Sequence, residues 1–131
     1  MFNFFSKYKF IFYLCNFILI LLYLFPGSIL GWFLYKDISM QPLITPNFLV
    51  STNHVYAFFI LSLVGFFTYT KFDKFRFLSV YLIFLSILLE ILHYFIPGRS
   101  FELSDLFGNL LGTIIVIIIF YLLKKNANFK N

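Results

Sequence analysis

The sequence predicts an all-α membrane protein, a four-transmembrane-helix bundle with both termini cytoplasmic. Three observations carry that expectation. Of 131 residues, 62% are hydrophobic and 11% charged, against about 25% charged in ordinary soluble domains. A chain this short has too much surface for its volume to keep so much apolar area from water. Four stretches approach the roughly 17–25 residues that a helix needs to cross a bilayer, and basic residues gather in segments that alternate with them.

The first expected helix covers about 10–26, uncharged from Phe10 past Phe25 and ended by Pro26-Gly27, a pair that stops or kinks a helix. Lys7 and Lys9 before an apolar run mimic a signal peptide, but no small-x-small cleavage site follows. Leu14 stands where a lipoprotein box needs a small residue before Cys15. The segment is therefore read as a retained helix. The connection to about Asn53 is too short and too apolar for a soluble domain. Within it, Trp32 and Tyr35 read as an interfacial belt before Lys36-Asp37, and Pro42 and Pro46 mark irregular chain. A short surface helix or a loop is expected there.

The second helix is expected at about 53–70 and the third at about 77–96, interrupted only by Glu90 and His93. The fourth, about 105–123, is uncharged after Asp105 and rich in isoleucine. These spans consume most of the chain, so residues 1–131 read as one membrane domain.

Eight of the ten basic residues fall before the first helix (Lys7, Lys9), between the second and third (Lys71, Lys74, Arg76) or after the fourth (Lys124, Lys125, Lys130). Short loops rich in Lys and Arg stay in the cytoplasm, which sets N-in, C-in topology. The net charge of +5 is thus a topology signal, and no nucleic-acid partner is expected. Cys15 is the single cysteine, so no disulfide forms within the chain.

Residues three, four or seven apart share a helix face, and each span carries one stripe of polar or small residues. The stripes are Asn16, Tyr23 and Gly27; His54, Ser62, Gly65 and Thr68; Ser79, Ser86, Glu90 and His93; and Asp105, Gly108, Asn109 and Gly112. Helices in lipid associate through small residues and interhelical hydrogen bonds, so these stripes are expected to face one another. Gly65, Gly108 and Gly112 are the expected packing positions, with Gly108-x-x-x-Gly112 serving either packing within the chain or a dimer contact.

His54, Glu90, His93, Arg99, Asp105 and Asn109 all fall at the outer end of the predicted spans. Glu90 is seven residues before Pro97, about 10 Å below the boundary at 1.5 Å per residue. A charged group at mid-membrane costs about 2.5–3.5 kcal/mol, so Glu90 needs a partner or a proton. Arg99, returned by the Pro97-Gly98 turn, is placed to pair with Glu90 or with Asp105. Asp105 reads alternatively as a helix N-cap, Glu90 as a structural hydrogen bond or ion pair locking two helices, His54 as an interfacial histidine and His93 as a neighbour of Glu90. Two histidines on different helices, read as far apart, with no outer-face cysteine, argue against zinc. No metal or other cofactor is expected.

Pro26-Gly27, His54, Glu90 and the run P-G-R-S-F-E-L-S-D-L-F-G-N-L-L-G from Pro97 to Gly112 resemble the VanZ-like family of small bacterial membrane proteins over nearly the whole chain. Two departures stand out: Val50-Ser51 replace an Asp-Lys pair common before the family's histidine, and His93 stands where Gln is frequent. The resemblance implies a multi-pass protein of the bacterial cytoplasmic membrane with a cell-envelope role, the family being named for a member linked to teicoplanin resistance.

Three functions follow. The first is binding of a lipid headgroup or lipid-linked envelope precursor in an outward-facing pocket of His54, Glu90, Arg99, Asp105 and Asn109, with Arg99 gripping phosphate. The second is an intramembrane enzyme acting on such a lipid, with Glu90 or His54 as general base. The third is an accessory subunit of a membrane complex. Membrane lipids are the expected partners.

Overall fold

A computed structural model describes residues 7, 9–69 and 72–128 of the chain. Among them lie helices α1 (Phe10–Leu24), α2 (Ile29–Tyr35), α3 (Thr52–Thr68), α4 (Phe72–His93) and α5 (Leu103–Asn128), and no strand. The expected end of the second span at residue 70, with Lys71 and Lys130, lies outside the described residues.

α1 stops at Leu24 because Pro26 cannot continue its hydrogen-bond ladder. The chain then turns by 81° into α2, the short helix that the sequence offered as one option. Ser28 starts α2 by accepting from the Gly31 amide at 2.9 Å, and Lys36 ends it in the left-handed region. The α4 helix ends at His93, three residues before the expected limit at 96. The next three amides reach back only three residues, to the carbonyls of Ile91, Leu92 and His93, as the approach to Pro97 disfavours helix at the preceding residue. The α5 helix begins two residues before the expected start and extends to Asn128.

Side chains are distributed inside out relative to a soluble protein. Ser62, Ser86, Glu90, His93, Asn109 and Thr113 are fully buried, whereas Phe17, Phe77, Val80 and Ile118 are exposed. A central layer of Phe58, Leu61, Phe66, Leu82, Leu89 and Val116 holds the helices together. Two described helices are long and apolar enough to cross a membrane, within Lys74–His93 and Leu103–Asn126, and the bent α1–α2 pair makes up to three. α3 is a shorter apolar helix. These features mark a membrane protein.

The most extensive packing joins α3 to α5, and its cause is the expected glycine pair. A Cβ on Gly108 would lie 2.6 Å from the Ser51 carbonyl, and one on Gly112 would strike the Val55 carbonyl. Both glycines therefore serve packing within the chain. Gly65 does the same against side chains, where a Cβ would come within 2.9 Å of Phe12 and 3.3 Å of Leu78. The Ser51 amide also donates to the Ser104 carbonyl at 3.1 Å, tying the start of α3 to that of α5.

Candidate functional site: two histidine–carboxylate pairs under a polar cavity

The ends of α1 and α4 and the starts of α3 and α5 meet at one end of the bundle. Their polar stripes converge there, and Asn109 of α5 is the hub. Its Nδ2 donates to the Ser86 carbonyl at 3.3 Å, which fixes the amide with Oδ1 toward α1 and α3. That oxygen accepts from the Tyr23 hydroxyl at 2.7 Å and from Nδ1 of His54 at 3.1 Å. Because an amide oxygen only accepts, Nδ1 of His54 carries the proton. Nε2 of His54 is left facing Oδ2 of Asp105 at 3.4 Å.

A second pair repeats this logic. Nε2 of His93 donates to the Tyr23 carbonyl at 3.0 Å, leaving Nδ1 3.3 Å from Oε2 of Glu90. The contact is close enough for ionic attraction, yet Oε2 takes no hydrogen bond among the described residues. Oε1 of Glu90 accepts the Glu102 amide at 3.0 Å. The Tyr23 ring packs against both histidines, stacking on His93 and tilting against His54.

Three expectations need correction. Arg99 pairs with neither Glu90 nor Asp105. Its Nη2 donates to the carbonyls of Leu22 at 3.0 Å and Gly27 at 2.6 Å, and its Nε to that of Phe25 at 3.2 Å. The reason is the turn before it: the Arg99 amide closes on the Ile96 carbonyl at 3.1 Å across Pro97 and Gly98, and Gly98 has φ +76°, a type II arrangement. That turn aims the guanidinium at the end of α1, where carbonyls lack helical donors and the dipole is negative. Partial burial lowers the Arg99 pKa from its ordinary value, opposed by Tyr23, Asp105 and Glu90.

Asp105 is not an N-cap. Because α5 begins at Leu103, Asp105 lies within its first turn, and the Glu102 carbonyl accepts the amides of Asp105 and Leu106 instead. The Asp105 carboxylate turns to His54 and to the Ser104 hydroxyl, 3.3 Å away. Finally, the histidines do not stand far apart. Their ring centroids are 6.4 Å from each other, because both helices end beside Tyr23.

The cluster forms the floor of a cavity of about 710 Å³ lined by His54, His93, Arg99, Glu102 and Asp105 among others. Glu90 and Asn109 lie behind this wall, fully buried. A second cavity of about 460 Å³ shares Ser28, Gln41, Leu43, Asn53, His54 and Arg99 with the first and is otherwise mostly apolar, walled by α2 and α3. Tyr23 and His93 are the members that sequence reasoning underweighted, although each stood in a predicted stripe.

Comparison with known proteins finds no matching family model, curated protein or solved structure.

Proposed function

We propose that the protein is a multi-pass membrane protein that binds an anionic lipid headgroup, or a lipid-linked envelope precursor, in the polar cavity. The observation that carries this reading is the pairing of cavities. A polar chamber with Arg99 in its wall adjoins an apolar cleft, which is the division of a lipid into head and chain. Pockets of roughly 300–1,000 Å³ are the usual size for small ligands. Nη1 of Arg99 makes no hydrogen bond to the described residues, so it remains free for a phosphate oxygen.

The reading includes a four-span topology with both ends in the cytoplasm and the cavity facing outward. α3 has 17 residues, about 26 Å at 1.5 Å per residue, close to a bilayer core of about 30 Å. The VanZ-like resemblance directs the proposal to the bacterial cytoplasmic membrane and its envelope lipids.

Native mass spectrometry of the protein released from mixed phosphatidylglycerol and phosphatidylcholine micelles tests it. Retention of phosphatidylglycerol over phosphatidylcholine is expected, reduced in Arg99→Lys. Equal retention of both lipids would defeat the reading. The His54–Asp105 pair at the cavity wall favours a second function, acid–base chemistry on such a lipid, which requires turnover of a labelled lipid that His54→Ala abolishes.

A further inference from the structure

We propose that His54, Glu90 and Asp105 form a site for a divalent first-row transition-metal cation at the floor of the polar cavity. The inference rests on the lipid reading only for what enters the cavity above the ion.

The three side chains come from α3, α4 and α5, and each offers one ligand atom within 4.8 Å of the others. The 3.4 Å from Nε2 of His54 to Oδ2 of Asp105 is already about the edge of a tetrahedron with bonds of about 2.0–2.1 Å. The Glu90 ligand atom, within 4.8 Å of the other two, would move inward to complete the triangle.

The hydrogen bonds behind the ligands are those that a metal site needs. Asn109 holds the proton of His54 on Nδ1, so the Nε2 lone pair is presented to Asp105. Ligating histidines ordinarily donate their other ring nitrogen to such an outer partner. A lone pair facing a carboxylate is repulsive until a proton or a metal cation lies between them. Glu90 adds a second sign: its side chain is fully buried, and Oε2, whose near neighbour is Nδ1 of His93 at 3.3 Å, lacks a well-formed hydrogen bond there. Buried polar atoms left in that state are costly.

Two carboxylates neutralise a divalent ion, and the imidazole favours zinc, iron or nickel over magnesium and calcium. His54 and Asp105 line the cavity, so the remaining coordination positions open toward it, as in zinc sites that keep an exchangeable position. Water or a phosphate oxygen would take that position.

The competing account is a proton on Nε2 of His54, with no affinity for metal. The test is a Co²⁺ titration of the full chain in detergent, stripped with EDTA and without added lipid. Stoichiometric binding with the intense visible bands of four-coordinate cobalt, displaced by Zn²⁺, is expected. His54→Ala, Glu90→Gln and Asp105→Asn should each weaken Co²⁺ binding by at least about tenfold, with the helical circular dichroism of each variant unchanged. Absence of stoichiometric cobalt binding to the wild-type chain overturns the proposal, as does retained affinity in all three folded variants. Lipid retention is read separately on the metal-loaded protein: its absence with metal binding intact counts against the lipid reading alone.

Discussion

Nδ1 of His54 lies 3.1 Å from Oδ1 of Asn109, and this contact orients the whole cluster. It joins α3 to α5 at the level where Gly108 lets them touch, sets the tautomer of His54 and directs Nε2 toward Asp105. Packing and chemistry are therefore coupled through one amide.

Replacing Asn109 should reveal that coupling. Asn109→Ala removes bonds to Tyr23, Ser86 and His54. Interhelical hydrogen bonds in membranes average about 0.6 kcal/mol and reach about 1.7, so a loss of about 1–3 kcal/mol is expected in unfolding titrations with SDS. Cobalt affinity should also fall, by about 10–100-fold, as for other outer partners of metal-binding histidines.

The α3–α5 seam should tolerate no side chain at its closest point. Gly112→Ala places a methyl against the Val55 carbonyl and 2.9 Å from the Phe59 amide nitrogen. Overpacking of this kind costs about 1–3 kcal/mol, visible as a lower melting temperature in detergent. Ile118→Ala, at an exposed position on the same helix, should change it little.

Arg99→Lys keeps the charge but not the three bonds to the last turn of α1 and the segment that follows it. Hydrogen bonds from charged groups contribute about 1.5–3 kcal/mol, and a lysine ammonium lacks the planar fork that spans these carbonyls. Increased amide hydrogen exchange from Phe25 to Ser28 is expected, together with weaker retention of phosphatidylglycerol.

Topology is accessible through the single native cysteine. In a Cys15→Ser background, Ser39→Cys should react with a membrane-impermeant thiol reagent in intact cells. Lys74→Cys should react only after the membrane is opened. The reverse pattern would invert the proposed orientation.

Much of this arrangement was legible in the sequence because lipid reverses the usual pattern. Against an apolar background, the spacing of Ser86, Glu90 and His93 and of Asp105, Gly108, Asn109 and Gly112 marks the inward faces directly. The partner of Arg99 was not legible. Its bonds go to main-chain carbonyls, which carry no residue identity, and they depend on a turn geometry set by Gly98. The approach of His54 to His93 was hidden for a related reason: it follows from where two helices end around Tyr23, and no spacing along one helix encodes a distance between two.

The most direct test of the central claim uses Trp32, the only tryptophan, on the helix that walls the apolar cleft. Its fluorescence is measured in mixed micelles holding equal amounts of two lipids, with bromine on the chains of either phosphatidylglycerol or phosphatidylcholine. The expected result is stronger quenching by brominated phosphatidylglycerol in the wild-type protein, with the difference reduced in Arg99→Lys. Equal quenching by the two lipids in the wild-type protein would contradict a headgroup site in the polar cavity.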